Sequence, residues 1–336
     1  MLRVGVIGAT GYTGEEIIKI LARHKDVKIT VLQAVVESEA PISKIFPQLA
    51  GKIDLVCKKP DVKKAKDSAD LFFLALPHTV SMSVAPEFLK EGKKVIDLSA
   101  DYRLDVNEYE KWYGVKHKDA LNIKKAVYGL PELFRDKIKK AKLVANPGCY
   151  PTGASLGALP LVKAGLIDLS TIIVDAKSGA TGAGRKAHIS LSFSEVNENV
   201  KAYKINEHQH KPEIAMVIGG VAKEAVNIVF VPHLIPVNRG ILSTVYMDLD
   251  RDVGALKINQ IYEDFYRKEP FVRVMEEGEL PALRDVQHTN FCNIGIKVTG
   301  KKVIAVSCID NLLKGAAGQA VQNMNIMCGF TEGEGL

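Results

Sequence analysis

The residues most able to do chemistry are grouped around one cysteine. Cys149 sits in Asn146-Pro147-Gly148-Cys149-Tyr150-Pro151-Thr152, immediately before the helix-forming run GASLGALP. A cysteine at a helix N-terminus feels the positive end of the dipole, which favours the thiolate, the nucleophilic form of the side chain. The N–H groups of the same first turn can hydrogen-bond an oxyanion formed when that thiolate attacks a carbonyl. The other cysteines, Cys57, Cys292, Cys308 and Cys328, lack such a setting and read as small buried hydrophobes.

A second group is Gly8-Ala-Thr10-Gly11-Tyr12-Thr13-Gly14, between an apolar strand run and a helical run. Glycines at that junction let the backbone turn tightly and approach a pyrophosphate seated on the helix N-terminus, so this stretch predicts a dinucleotide site. About 20 residues further on, an acidic side chain marks NAD by holding the ribose 2′-OH. Here Val35-Val36-Glu37-Ser38-Glu39 occupies that place. Glu37 favours NAD, whereas Ser38 with Lys44 nearby would suit the 2′-phosphate of NADP, and the residues alone leave the choice open.

These groups need elements to hold them. Leu2–Ile7 is a continuous apolar run, as expected of a strand buried on both faces of a parallel sheet. Thr13–Arg23 follows with helical periodicity. Val27–Val36, Leu71–Leu76, Lys94–Leu98 and Val144–Asn146 read as further strands, with helices over Lys63–Ser68 and Val80–Lys90 between them. Strands alternating with helices predict right-handed crossovers and a doubly wound Rossmann-type α/β domain. Past Cys149, a helix over Thr152–Ala164 gives way to strand-like segments at Thr171–Ala176, Asn227–Pro232, Gly240–Leu249, Phe291–Thr299 and Lys302–Cys308. That pattern predicts an α+β second domain with a mixed or antiparallel sheet. The expected division is 1–148 with a returning C-terminal helix in 312–336, and 149–311 for the second domain.

Composition narrows the class. The 336 residues are 47% hydrophobic and 25% charged, without low-complexity tracts, which is globular. A net charge of +6 is modest for this length, and Lys clusters such as 58–66 and 137–142 read as solvated faces rather than a nucleic-acid surface. Five scattered cysteines without a C-x-x-C pair argue against a disulfide scaffold or a zinc site and for a reducing compartment. No uninterrupted apolar run approaches the length of a membrane span, and Met1 leads straight into the first strand, so a cytoplasmic protein is expected.

The run Val144–Pro160, VANPGCYPTGASLGALP, resembles the active-site signature of the N-acetyl-γ-glutamyl-phosphate reductase family, the acyl-phosphate-reducing semialdehyde dehydrogenases of arginine biosynthesis. The similarity extends through Gly8–Gly14, Asp97-Leu-Ser-Ala-Asp-Tyr-Arg103, Val127-Tyr-Gly-Leu-Pro-Glu132 and Asp175–Arg185. It continues through His208-Gln-His210-Lys-Pro-Glu213, Pro232–Gly240 and Asp310–Gln319. The resemblance implies an N-terminal Rossmann domain and a dimerising α+β catalytic domain of the glyceraldehyde-3-phosphate-dehydrogenase type. It implies a small acyl-phosphate substrate, a homodimer or homotetramer, and NADP as cofactor. It also implies that Cys149 attacks the acyl phosphate to form a thioester, which a hydride then reduces to the semialdehyde. The family uses a histidine as acid/base, and the matching positions are His208 and His210, with His210 preferred; a histidine titrates near working pH. Arg103 resembles the phosphate-binding arginine. Asn146, Arg185 and Arg239 are further substrate candidates, Arg being suited to carboxylate or phosphate. Ser178, Gly179, Gly182 and Asn311 would line the nicotinamide, and Pro77 with His78 would flank the cofactor. One departure stands out: many members carry Arg or Ser–Arg just after the second strand, where this chain has Val35–Val36 followed by Glu37 and Glu39.

Three other enzyme readings and one non-enzyme reading compete. Short-chain epimerases and reductases need Tyr-x-x-x-Lys, and none of the ten tyrosines has Lys four residues later. Aspartate-semialdehyde dehydrogenase shares the logic of Gly-rich loop, Cys and Arg but fits PGCYPT and HQHKPE less well. A cousin acting on N-modified, carrier-linked α-aminoadipyl phosphate in lysine synthesis differs by one methylene and the group on nitrogen. A dinucleotide sensor without turnover would have no use for Cys149, the paired histidines and Arg103.

Overall fold

The computed structural model describes all 336 residues. Its contacts divide the chain into two compact units, Met1–Pro147 with Ala316–Leu336, and Gly148–Gly315.

The first unit contains β1 (Leu2–Ile7), β2 (Val27–Gln33), β3 (Ala40–Pro41), β4 (Val56–Cys57), β5 (Leu71–Leu74), β6 (Lys94–Asp97), β7 (Val127–Tyr128) and β8 (Leu143–Ala145). Six of them form a parallel sheet in the order β2-β1-β5-β6-β8-β7, while β3 and β4 pair antiparallel in an excursion after β2. The order reverses between β1 and β5, and in such sheets the crevice beyond the carboxyl ends of the strands at that point takes ligands. Every residue of β5 is buried, and Phe72 stacks on Phe88 of helix Ser81–Lys90 with ring centroids 3.8 Å apart. The expected strands and helices are present with shorter ends. β2 stops at Gln33 rather than Val36, because Ala34 leaves the sheet edge to donate to the Lys58 carbonyl at 3.0 Å.

Two helices of this unit, Val106–Tyr113 and Pro131–Lys140, go beyond the sequence expectation. The first is set by chemistry readable at its ends: Asp105 accepts from the N–H groups of Asn107 and Glu108, and Gly114 closes the helix with φ +68°. The returning helix spans Ala317–Cys328 rather than starting at Leu312. Asp310 accounts for the difference, since its carboxylate takes the N–H groups of Leu312 and Leu313 and holds them in a turn. Nearly the whole returning helix is buried, and Asn323 bonds the Gly129 carbonyl and Asn146 from it.

The second unit holds β9 (Ile167–Ser178), β10 (Lys201–Ala202), β11 (Val229–Leu234), β12 (Ile241–Leu249), β13 (Val272–Val274), β14 (Cys292–Thr299) and β15 (Lys302–Ile309). They form one mixed sheet ordered β10-β11-β9-β12-β15-β14-β13, parallel at β11/β9 and β13/β14 and antiparallel elsewhere. Burial alternates without a break along β12, so one face of the sheet is a core. Helix Cys149–Lys163 packs on that face, against β9, β12, β14 and β15. Helices Lys211–Ala222 and Ala255–Tyr266 flank it, so it is buried on all sides from Tyr150 to Val162.

Burying that helix raises a problem at Pro160, which has no N–H for the Leu156 carbonyl one turn earlier. Tyr266 resolves it by donating its hydroxyl to Leu156 O at 2.5 Å, and Tyr262 adds a bond to Gly157 O at 2.6 Å. Tyr266→Phe removes only a hydroxyl but strands a buried carbonyl, so we expect a loss of about 1–3 kcal/mol in chemical unfolding. An unchanged unfolding midpoint would remove this account of how Pro160 is tolerated.

Candidate active site

Cys149 is the first residue of its helix, with Gly148 as N-cap and no capping side chain. This start is three residues earlier than the sequence pattern suggested. Pro151 is the reason the earlier start is allowed: in a first turn its missing N–H costs nothing. Cys149 is half-buried. Two neighbours fix its backbone. The Gly148 N–H donates to Glu213 Oε1 at 2.8 Å, and Gly315 lies so near that a Cβ there would sit 2.8 Å from Cys149 Cβ.

Glu213 is buried in the first turn of helix Lys211–Ala222, so its carboxylate lies at the positive ends of its own helix and of the Cys149 helix. The histidines lie just upstream of it. His210 is that helix's N-cap, and its backbone N–H donates to His208 Nδ1 at 3.0 Å. Tyr150, the residue after Cys149, packs edge-on against both rings, with centroids 5.4 Å from His208 and 5.9 Å from His210. Its hydroxyl meets that of Tyr203 at 2.9 Å. Burial raises the pKa of Tyr150, with the neighbouring Tyr203 and Cys149 adding to it. Tyr203 is pushed up to about 12, by burial first and then by the charge of Cys149. Both phenols therefore stay protonated and serve as hydroxyl partners rather than bases.

A separate loop cage in the same unit holds the other second-unit candidates. Gly179 donates to the Gly240 carbonyl, and Ala180 and Thr181 donate to Val237 and Asn238. A Cβ on Gly179 would strike Asn238 O at 2.7 Å, which is why glycine stands there. Asn311 ties the cage together by accepting from Gly240 N at 2.7 Å and donating to Thr181 Oγ1 at 3.0 Å. Ser178 is buried at its edge, and Gly182 is exposed, with Ser178 Oγ 3.5 Å from where a Cβ would lie. Arg239 lies here too, in a two-bond pair with the fully buried Asp310 at 2.9 and 3.2 Å. Arg185 stands apart, exposed in the loop that follows.

In the first unit the glycine loop lies where the crevice requires it. Gly8 has φ +92°, and a Cβ there would sit 2.1 Å from the Ala75 carbonyl. Its N–H and that of Ala9 donate to Gln33 O at 2.7 and 3.0 Å. Gly14 is also forced by the protein, since a Cβ would meet Gly8 O at 2.3 Å. Gly11 is different: its nearest neighbour in the protein is Gly8 O at 3.6 Å. Its Cβ position is open, which is the cradle a pyrophosphate would fill, flanked by Thr10, Tyr12 and Thr13. Pro77 and His78 follow β5 at the other side of the crevice. His78 Nδ1 accepts from Ala100 N at 3.0 Å, which makes Nε2 the protonated nitrogen of the neutral ring. Desolvation, and secondarily the charge of Arg103, hold His78 down to about 4.

Beyond β6 lies a cluster of buried polar groups. Arg103 donates from Nε to Asn146 O at 2.8 Å and from Nη2 to Leu98 O at 2.7 Å, so its guanidinium is fixed at the ends of β6 and β8. Asn146 donates to Ala316 O at 3.1 Å and accepts from Asn323 at 3.0 Å. Asp101 takes the N–H groups of Thr79 and Met82 at 2.7 and 2.9 Å and the Tyr109 hydroxyl at 2.8 Å, capping helix Ser81–Lys90.

Residues 3–141 match the NAD binding domain of semialdehyde dehydrogenases, and residues 149–311 match that family's dimerisation domain. Curated relatives named N-acetyl-γ-glutamyl-phosphate reductase match along the whole chain. That of Desulfotalea psychrophila is 48% identical over 340 residues, covering 100% of this chain and 98% of its own. That of Pelotomaculum thermopropionicum is 48% identical over 338 residues, covering 100% and 97%. The chain belongs to the N-acetyl-γ-glutamyl-phosphate reductase family. Solved structures of aspartate semialdehyde dehydrogenases share the family's fold at low identity. Aspartate semialdehyde dehydrogenase II of Vibrio cholerae, complexed with ASA, aligns with TM-score 0.73 at 15% identity over 98% of each chain. The Candida albicans enzyme with NADP aligns with TM-score 0.71 at 15% identity over 98% of each chain.

The geometry also shows what motif reading passed over. Glu213, Tyr203 and Asp310 stand inside or beside quoted motifs, yet spacing gave no sign that Glu213 holds Gly148 or that Asp310 anchors Arg239. Glu213 did carry one signal, an acidic residue in the first turn of a helix, which reads only as dipole stabilisation until the Gly148 contact is seen.

The glycines give a clean separation of binding from folding. Gly14→Ala should lower the melting temperature sharply, because the added methyl collides with backbone. Gly11→Ala should leave melting unchanged while weakening nicotinamide dinucleotide binding about tenfold or more in calorimetry. Equal effects of both on melting would contradict an open Gly11 position.

Proposed function

We propose that this chain reduces N-acetyl-γ-glutamyl phosphate to N-acetylglutamate semialdehyde and inorganic phosphate, with NADPH as reductant, through a thioester on Cys149. The observation carrying this reading is Cys149 at the first position of a buried helix, next to a tyrosine packed on two histidines.

The steps follow from the residues. The Cys149 sulfur bonds the acyl carbon, the carbon–oxygen bond to phosphate breaks, and phosphate leaves. The nicotinamide, when bound, supplies the hydride that reduces the thioester carbon. The resulting tetrahedral oxyanion collapses, the carbon–sulfur bond breaks, and the aldehyde departs with the thiolate restored. First-turn N–H groups stabilise the oxyanion in both tetrahedral stages. His210 is the acid/base that takes the thiol proton. His208 has Nδ1 committed to the His210 backbone and so holds the turn in which His210 sits. Arg103 is assigned to the substrate phosphate and Arg185 to its carboxylate. Arg239 and Asn146 are assigned as supports, since the first is paired with Asp310 and the second braces Ala316 and Asn323.

The reverse reaction tests this: N-acetylglutamate semialdehyde and phosphate, with NADP+ or NAD+, in wild type and variants. Phosphate-dependent cofactor reduction should vanish in Cys149→Ala and fall roughly 10²–10⁴-fold in His210→Asn. Turnover only with an N-acetylated aminoadipate semialdehyde would move the substrate to the longer homologue. Turnover that survives Cys149→Ala would exclude the thioester.

The second unit is proposed to form the homodimer. Helices cover one face of its sheet, while on the other Ile173 and Val229 are 37% and 41% exposed beside Leu242 and Tyr246. A second copy can cover that face. Tyr246→Glu should shift sedimentation from dimer to monomer, and a dimer that tolerates it must associate elsewhere.

A further inference from the structure

The end of β2 is where a Rossmann domain reads the adenosine ribose, and family members place a cation there for the 2′-phosphate. Lys28, the one cation of β2, lies near the opposite end of the strand, and the carboxyl end has none. Gln33, the last residue of β2, spends its side chain on the backbone of Asp61, donating at 3.1 Å and accepting at 3.2 Å. Ala34, Val35 and Val36 carry no charge. No carboxylate stands at the strand end either: Glu37 and Ser38 lie in an exposed bend beyond it, and Glu39 accepts from the Lys59 N–H at 3.1 Å.

The excursion through β3 and β4 changes what is beside that strand end. On its return it pairs Lys58 with Gln33 as a parallel bridge, with Lys58 donating to Leu32 O at 2.9 Å and accepting from Ala34 N at 3.0 Å. Lys58 and Lys59 are thus brought by backbone hydrogen bonds to the carboxyl end of β2. Both are exposed, and neither ammonium is spent in an ion pair. Lysines elsewhere on this unit, such as Lys19, Lys64, Lys66 and Lys90, are paired with carboxylates. Beside them Val35 is 91% exposed, the most exposed large apolar side chain of the protein. An apolar surface at a strand end suits the face of an adenine ring.

We infer that Lys58 and Lys59, delivered by the β4 return and not by β2, hold the 2′-phosphate of NADP, with Val35 against the adenine. The inference rests on the dinucleotide reading of the Gly8–Gly14 loop. Two ammonium groups act on a phosphate as point charges, so their contribution should fall with added salt.

Calorimetric titration of the full-length protein with NADP+, NAD+ and 2′,5′-ADP tests it. Wild type should bind NADP+ more tightly than NAD+. The Lys58→Ala/Lys59→Ala double variant should lose roughly 10- to 100-fold in affinity for NADP+ and 2′,5′-ADP, with NAD+ unchanged. The difference should shrink at high salt. Glu37→Gln should instead leave or slightly improve NADP+ binding. NADP+ affinity unchanged in the double variant, NAD+ falling in parallel, or a wild type that prefers NAD+ would each overturn the assignment. A wild type that binds neither dinucleotide would sink the Rossmann-cofactor reading and this inference with it.

Discussion

A nucleophile at the start of a helix is only as well placed as the helix is immobile, and here immobility comes from burying Cys149–Lys163 on every side. A helix so placed must have each of its carbonyls satisfied, including the one that Pro160 leaves without a partner. The hydroxyls of Tyr262 and Tyr266 and that of Ser307, which bonds Gly153 O at 2.7 Å, come from a flanking helix and from the sheet. They bond the helix backbone directly, so the helix cannot slide without breaking several buried hydrogen bonds. Small residues at Gly153 and Gly157 let the sheet approach closely, with Ser307 and Val245 within van der Waals reach.

The front of that helix is held by a different device. Glu213 takes the Gly148 N–H from the side, and Gly315 leaves just enough room for the Cys149 methylene. The carboxylate lies at two helix N-termini at once, where the positive ends of the helix dipoles meet it. It also constrains the chemistry, since a negative charge near the sulfur opposes the thiolate that the helix dipole favours. Glu213 therefore acts on backbone position, through its bond to Gly148 N–H.

Much of this was legible in the sequence, and what was not has a physical reason. The glycine loop, the helix that begins near Cys149 and the alternation of strands and helices are local signals, and they located β1, β5, β6 and β12 to within a residue or two. Helix Pro131–Lys140 has its basic residues crowded into the last turn, so its periodicity looked like a solvated face only. The end of β2 was misplaced because Val35 and Val36 have strand character; what ends the strand is a bond from Ala34 to Lys58, 24 positions later. The start of the Cys149 helix was misplaced because two prolines and a glycine look like a loop, although Pro151 is harmless in a first turn. No local pattern reveals that Arg239 is paired with Asp310, 71 residues away.

On the assignment inferred above, the excursion after β2 would let the ligand be kept while the residue that recognises it moves. A 2′-phosphate needs positive charge within a few ångströms, but nothing requires that charge to come from the strand that ends there. A returning segment sewn to the same strand by two backbone hydrogen bonds and a glutamine side chain delivers its side chains to the same region. The cost is entropic, because Lys carries long flexible stems and lacks the bidentate fork of Arg, so recognition by two lysines trades geometric precision for charge. The neighbouring glutamates then matter more than they would beside an arginine. Glu39 is withdrawn into a hydrogen bond from the Lys59 backbone N–H, which leaves Glu37, exposed in the bend beyond the strand, as the nearby carboxylate without that contact.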